Sequence, residues 1–267
     1  MKVYKLDKIY STGTTYRTEE DKALIIEAIG TNVTDTVTCF IDGVYTTKFN
    51  SIFAPLREDV NNALGLLELG DYYLVVPPDK PFRFESATAG RVRVKGKLLV
   101  FGPGEVLPPN YLSRFGEQGS KYVTFVRGSY TSAAGASIPS GEVATLINLT
   151  PGIGERYVFN SYALFTASTS AGSIPSEDLA FRFYLDDNPI DLVETEMGPL
   201  GFTSIASSYP PKYSASVEIF DMSDFVIDLL PGKNLKVRLI NNGPARTLAS
   251  GETLSANILM VAIYTKA

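Results

Sequence analysis

The sequence predicts an all-β protein, and three observations carry that prediction. Residues that favour pleated, half-buried strands are abundant, with 15 tyrosines and 15 phenylalanines beside many valines, isoleucines and threonines. Glycine and proline, 22 and 16 in number, punctuate the chain as turns between short strands do. Several segments alternate apolar with polar residues, a two-residue period that puts one face of a strand in a core and the other in solvent.

The first hundred residues divide into strands of this kind. Val37, Cys39 and Ile41 alternate with their neighbours and are followed by Asp42-Gly43, a dipeptide that favours a tight hairpin turn. The alternation makes Cys39 a small core residue. Eight strands are predicted here: 2–10, 22–29, 35–42, 44–49, 72–76, 81–86, 90–95 and 96–101.

One segment has helical rather than strand spacing. After Pro55, which suits a first helical turn, apolar residues recur at intervals of three or four. They are Leu56, Val60, Ala63, Leu64 and Leu67. A short helix is therefore expected near 55–67.

The second half of the chain repeats the first, segment by segment. The offset grows along the chain, as it would if the second copy carried longer loops. The matches are Val3–Leu6 with Val143–Leu146, Ala23–Ile25 with Ala163–Phe165, Val37–Asp42 with Phe181–Asp186, Pro55–Leu56 with Pro199–Leu200, Pro78–Phe84 with Pro231–Val237, and Leu98–Val100 with Ile258–Met260.

Eight strands a copy, with a long excursion midway, fit a jelly roll, in which two four-stranded sheets form from nested Greek keys. We therefore expect two jelly-roll domains from an internal duplication, at 1–103 and 141–267. The linker at 104–140 is expected to hold an extra strand. An immunoglobulin-like sandwich is the alternative, and strand order decides between them, because the first and last strands of a jelly roll are neighbours.

Two similar all-β copies in one chain of 267 residues resemble the tandem-jelly-roll capsid and capsid-associated proteins of double-stranded DNA viruses and phages. The likeness covers the whole chain at the level of architecture, and the expected helix near 55–67 looks like the one such barrels often carry. The second copy departs from it, with no clear helix at 199–217. The resemblance implies a virion structural protein, made in the host cytoplasm, that assembles with itself and with other virion proteins. A trimer or a ring is the expected homo-oligomer.

Composition narrows the other function classes. The chain has no histidine, which removes imidazole catalysis and histidine-held metals. A formal net charge of −5 does not suit a phosphate backbone, so no direct nucleic acid binding is expected. No cofactor is implied, and no apolar run is long enough for a transmembrane segment. The open alternatives are a carbohydrate-binding module or receptor-binding adhesin, including a phage tail component, and a hydrolase using two carboxylates.

Two clusters of polar residues invite a functional reading. Asp186, Asp187 and Asp191 lie in YLDDNPID, where a polar hairpin turn is favoured and a calcium site is the weaker alternative. A second cluster is basic and consists of Arg91, Arg93, Lys95 and Lys97, on one face of a predicted strand. This face could bind an acidic partner, although a solvated outer face is favoured.

The long excursion 195–222 supplies the candidate interface. A connection of this length is usually functional or disordered, and this one is too apolar to be a solvated disordered segment. Its apolar residues are the interface candidates Phe202, Ile205, Tyr209 and Tyr213. The excursions 50–71 and 195–222 are both expected to make contacts between subunits of the homo-oligomer.

Overall fold

The structure is a computed structural model that describes residues 1–56, 65–175, 178–190, 218–222 and 226–267. The chain divides into two compact units, Met1–Thr124 and Phe125–Ala267. The all-β class is confirmed, since the part of the chain that the structure describes is mostly strand with little helix, and the strands form several antiparallel sheets.

The first unit contains two sheets. One has the order β1-β9-β3, with β6 and β7 both paired to the far edge of β3, and the other has the order β2-β8-β4-β5. Its elements are β1 (Lys2–Ser11), β2 (Thr15–Arg17), β3 (Lys22–Thr31), β4 (Val37–Ile41), β5 (Val44–Phe49), β6 (Leu67–Glu68), a 3-10 turn (Gly70–Tyr72), β7 (Leu74–Val76), β8 (Pro81–Glu85), β9 (Arg91–Val100) and α1 (Pro109–Glu117).

The apolar alternation of these strands builds the core, as the sequence predicts. Val37, Cys39 and Ile41 of β4 are fully buried, and Phe84 of the neighbouring β8 is fully buried beside them. Burial raises the pKa of the Cys39 thiol to about 12, so this cysteine behaves as a small apolar residue.

One unbroken strand, β9, replaces the two predicted at 90–95 and 96–101. Gly96, at the boundary between the two predicted strands, lies inside β9 with φ at 153°. A Cβ atom built on it would lie 2.0 Å from the carbonyl oxygen of Ile25 on β3. The register of β3 against β9 shifts between Ile26 and Ala28 at this point, so the glycine accommodates a bulge in the neighbouring strand.

The described helix is α1, not the one expected near 55–67. Of that segment, 57–64 lies outside the described residues, Pro55 and Leu56 are not helical, and Leu67 begins β6. Tyr111 and Phe115 of α1 pack with Leu107 on the outer face of the sheet. The apolar residues they cover are Ala23, Ile25, Val75, Leu99 and Phe101. The helix has only nine residues and begins at Pro109, so its apolar periodicity is too short to be recognised in the sequence.

Two buried polar side chains tie α1 to the sheet. The Gln118 amide nitrogen donates to the Val75 carbonyl at 3.1 Å, and its oxygen accepts from the Val75 N–H at 2.9 Å. Gln118 thus pairs with β7 as a further strand would. The guanidinium of Arg114 donates to the carbonyls of Tyr72, Tyr73 and Lys121, and burial lowers its pKa.

We expect Gln118→Glu to destabilise the first unit by about 2 kcal/mol at pH 7, because the introduced carboxylate cannot donate to the Val75 carbonyl. Urea unfolding measures the loss. The deficit should shrink near pH 4, where a protonated carboxyl group can donate again. The exposed neighbour offers the control, Glu117→Gln, which should leave stability nearly unchanged. Equal stability of both variants at pH 7 would show that the Val75 pairing contributes nothing.

The second unit also contains a pair of larger sheets. One has the order β12-β19-β15-β16, and the other joins β17, β14, β21, β13 and β18, with β10 also paired to β21. The short strands β11 and β20 pair separately. The strands are β10 (Lys121–Thr131), β11 (Ser137–Ile138), β12 (Gly141–Leu149), β13 (Glu155–Phe159), β14 (Tyr162–Thr169), β15 (Leu179–Leu185), β16 (Asn188–Pro189), β17 (Glu218–Asp221), β18 (Ile227–Leu229), β19 (Leu235–Asn241), β20 (Arg246–Thr247) and β21 (Leu254–Lys266).

Strands β13 and β14 act as one bent strand along β21. Val158 of β13 pairs with Ile263, and Ala163 of β14 pairs with Met260, so the two lie end to end. Their outer neighbours, β18 and β17, follow the same division. Phe165 of β14 is fully buried, with its ring centroid 5.1 Å from that of Phe181.

A buried carboxylate fastens two loops of this unit. Glu252, only 2% exposed, accepts hydrogen bonds from the backbone N–H groups of Ala171, Ser173 and Ala249. The Ser173 hydroxyl also donates to it. The Ser173 hydroxyl first, and then the N–H groups of Ser173 and Ala249, lower the pKa of Glu252 to about 2.

Candidate interaction surfaces

The hairpin tip of each unit is held by the same pair of contacts. Asp42 and Asp186 follow β4 and β15, and both have a φ of 51°. A lysine from the loop before the paired strand, β8 or β19, reaches each carboxylate, Lys80 at 2.7 Å and Lys233 at 2.6 Å. Each aspartate N–H donates to a backbone carbonyl, that of Pro81 or Asn234. The tips are therefore built from Asp-rich turns and ion pairs.

Two of the three calcium candidates are engaged in such ion pairs. The Lys233 ammonium lowers the pKa of Asp186, and the Lys236 ammonium lowers that of Asp187. Arg238 also reaches Asp187, at 3.0 Å. Asp191 lies outside the described residues. Within the described ranges, no group of three or more acidic or cysteine side chains could hold a metal ion.

The four predicted interface residues, Phe202, Ile205, Tyr209 and Tyr213, also lie outside the described residues. They remain predictions. Of the excursion 50–71, the described parts are 50–56 and 65–71, and Phe53 and Leu69 there are buried.

The basic strand β9 is balanced by carboxylates on its neighbours. Arg93 makes two hydrogen bonds of 2.8 Å to Asp7 of β1, and Lys97 lies 2.6 Å from Glu27 of β3. The Arg93 guanidinium lowers the pKa of Asp7. This face is a mixed-charge surface, so it does not present a uniform positive patch to an acidic partner.

The outer face of the sheet β12-β19-β15 carries a similar network. The guanidinium of Arg238 stacks 4.3 Å from the ring centroid of Tyr184 and also binds Glu142 at 2.9 Å. In the first unit, the guanidinium of Arg83 lies 4.7 Å from the ring centroid of Phe40. Each sheet thus stacks a cation on an aromatic ring at its solvent face.

A pocket of about 240 Å³ opens in the first unit. Aromatic and leucine side chains form its floor, and charged side chains form its rim. All four charged residues that line it are paired or stacked: Arg17 with Asp79, Lys22 with Glu19, and Lys8 over the Tyr10 ring. Burial raises the pKa of Tyr10 to about 12, so its hydroxyl is not a ready general base. The side chains that line the pocket therefore suit apolar contacts better than they suit acid–base catalysis.

Three accessible apolar side chains lie on β1. This ten-residue strand pairs with β9 through one edge, and no described strand pairs with its other edge. Val3, Tyr4 and Ile9 are 55%, 50% and 51% exposed. Long edge strands with exposed apolar residues are sites where another strand can add. Sequence analysis placed the strand at 2–10 but gave no sign that it would lie at an edge.

The comparisons with known proteins give little independent information. No protein-family model matches the chain, and no curated protein matches it. Among solved structures, similarity is found to a turret protein of Sulfolobus turreted icosahedral virus, with 12% identity, full coverage of both chains and a TM-score of 0.24. The infectious bursal disease virus Gx strain structure has 9% identity, covers 99% of this chain and 78% of that one, and has a TM-score of 0.24.

A third similar structure is that of a BuGH86 variant in complex with neoagarooctaose, with 9% identity, 97% coverage of this chain, 33% of that chain, and a TM-score of 0.22. TM-scores this low do not establish a common fold. None of the described helices is long and apolar enough to cross a membrane.

Proposed function

We propose that the chain is a non-enzymatic virion structural protein made of two tandem jelly rolls, and that it acts by assembling with itself and with other virion proteins. The observation that carries this proposal is the strand order, which has the same plan in both units. In the first unit, the first strand β1 lies beside the last strand β9, and β3 lies beyond it. The second sheet, β2-β8-β4-β5, has the strand order expected of the other sheet of a jelly roll, which supports the proposal.

The second unit supports the same plan. There β10 pairs with the last strand β21, the bent strand β13/β14 comes next, and β17 and β18 lie beyond it. The other sheet is β12-β19-β15-β16. On this proposal β10 is the counterpart of β1, so the second copy begins near 121 rather than 141. In that assignment β12 is the counterpart of β2, which differs from the sequence match of Val3–Leu6 with Val143–Leu146.

Cross-strand registers favour a duplication. In the first unit Cys39 pairs with Phe84, and in the second unit their matches Phe183 and Val237 pair with each other. The neighbouring pair of Phe40 with Arg83 corresponds to Tyr184 with Lys236. These are the residues that the sequence repeat aligns, and the shared Asp–Lys contacts of the hairpin tips lie beside them.

One match of the repeat is out of step. Ala23 and Ile25 pack under α1 on the outer face of their sheet, whereas Ala163 and Phe165 point into the core of the second unit. A one-residue shift of this match restores equivalent faces. Strand β3 is apolar along its length and buried on both faces, so its sequence does not show which residues face the core.

A tandem jelly roll serves assembly because two similar barrels in one chain present related surfaces to neighbouring subunits. The outer sheet faces of these units are mixed networks of ion pairs, and β1 offers an open edge with exposed apolar residues. These features suit contacts between protein subunits better than they suit a buried reaction centre.

Two measurements test the proposed function. Mass photometry and negative-stain electron microscopy of the purified chain should show an oligomer, and immunogold labelling with an antibody to the chain should decorate virus particles from the source of the sequence. A glycan array tests the adhesin alternative. A chain that stays monomeric, leaves particles unlabelled and binds a specific glycan would overturn the proposal in favour of that alternative.

A further inference from the structure

The open edge of β1 carries a pattern that is complementary to itself. The N–H of Thr12, just after the strand, donates to the carbonyl of Gly90, toward β9. The N–H of Ser11 instead meets the Tyr16 hydroxyl. Because backbone groups alternate along a strand, the odd-numbered residues from Val3 to Ile9 direct their N–H and C=O groups to the open edge. The same odd-numbered residues place their side chains on the outer face, since Leu6 and Tyr10 are buried on the inner face.

We propose that two copies of the chain associate by antiparallel pairing of β1 with β1, with Leu6 on the twofold axis. In this register Val3 of each copy faces Ile9 of the other, and Lys5 faces Asp7. The inner face adds Tyr4 opposite Lys8. Each outer-face pair is therefore favourable, because an apolar residue faces an apolar residue and a cation faces an anion.

Neighbouring registers lose this complementarity. With Lys5 on the axis, two lysines face each other and Val3 faces Asp7. With Asp7 on the axis, two aspartates face each other and Lys5 faces Ile9. Like charges directly opposite on adjacent strands destabilise the pairing, so charge selects the register centred on Leu6.

The side chains needed for this contact are accessible. Val3, Tyr4 and Ile9 are about half exposed, and Lys5, Asp7 and Lys8 are exposed. Asp7 is already held by Arg93, so the carboxylate is fixed in place before Lys5 of the second copy reaches it. Pairing would continue the sheet β3-β9-β1 into the second copy without a break. This inference rests on the assembly function proposed above and names the partner as a second copy of the chain.

A charge exchange tests the register. Lys5→Glu alone and Asp7→Lys alone each place like charges opposite each other twice in a homodimer, so we expect each to weaken dimerisation about tenfold or more in sedimentation equilibrium. A mixture of the two variants restores both attractive pairs and should dimerise within about threefold of the unsubstituted chain. Circular dichroism checks that each variant is folded.

Cysteine cross-linking tests the same register without altering charge. Val3→Cys chains mixed with Ile9→Cys chains should form an interchain disulfide, since directly opposite residues lie about 5.5 Å apart between Cα atoms. Val3→Cys chains alone should not, because their two positions would be about 20 Å apart along the strand. The native Cys39 is fully buried and does not compete.

The outcomes separate this inference from the proposed function. The β1 pairing would be overturned if both charge variants dimerise as strongly as the unsubstituted chain. It would also be overturned if Val3→Cys chains alone cross-link as well as the mixture does. Neither result would affect particle labelling. A dimer with the expected charge and cross-link pattern but unlabelled particles would retain the pairing and overturn the virion role.

Discussion

Gly96→Ala should destabilise the first unit by about 3 kcal/mol, because the added Cβ would lie 2.0 Å from the Ile25 carbonyl oxygen and a φ of 153° is strained for any L residue. The neighbour is backbone, so it cannot move aside as a flexible side chain could. The expected loss is a large share of the stability of a unit of this size. Urea unfolding, followed by amide exchange at β3 and β9, measures it.

Gly116→Ala is the matched control for this substitution. Gly116 lies in α1 with nothing within 4 Å of an added Cβ and without a positive φ, so alanine there should leave the unit as stable or raise its stability by up to about 1 kcal/mol. If both alanine variants unfold at the same urea concentration, β3 and β9 do not approach each other as described.

Glu252→Gln should lower the melting temperature of the second unit by roughly 5 °C or more at pH 7, because an amide cannot accept all the hydrogen bonds that the carboxylate accepts. The backbone N–H groups of Ala171 and Ser173 should exchange faster with solvent as the loop is released. Calorimetry and amide exchange measure the two effects. Glu142→Gln, on the exposed face of β12, is the control and should change the melting temperature little.

The pH dependence of that difference has a definite sign. The pKa of Glu252 is lowered to about 2 in the folded chain, so its stabilisation is present above the ordinary glutamate range and is lost as pH falls through about 2. The gap between the unsubstituted chain and Glu252→Gln should therefore narrow from pH 5 to pH 2. A gap that stays constant over this range would show that Glu252 is not the titrating group.

The fold was predictable where apolar and polar residues alternate without interruption. This alternation predicted strands β4, β8 and β19, and Asp42-Gly43 predicted the hairpin turn after β4. Prediction failed where tertiary contacts override local pattern. The boundary predicted between residues 95 and 96 lies inside β9, where Gly96 faces the bulge of β3, a contact between residues far apart in the sequence.

The candidate surfaces were less predictable than the fold. The basic residues of β9 could be found in the sequence, but their carboxylate partners, Asp7 and Glu27, are distant in the chain and become neighbours only through strand order. The contacts of Glu252 with Ala171 and Ser173 had no local signal, because these donors lie some eighty residues earlier in the chain. Such contacts depend on topology, which a one-dimensional pattern does not contain.

The pairing of β1 with β9 has a consequence for synthesis of the chain. Lys2 pairs with Val100, so β1 has no partner strand until almost the whole first unit has left the ribosome. At about 5–20 residues per second, the strand waits for roughly 5–20 s with both edges open. Contacts so distant in sequence also slow folding itself. The three lysines and the aspartate between Lys2 and Lys8 can be understood as protection during this interval, since charge on an unpaired strand discourages premature association with other nascent chains.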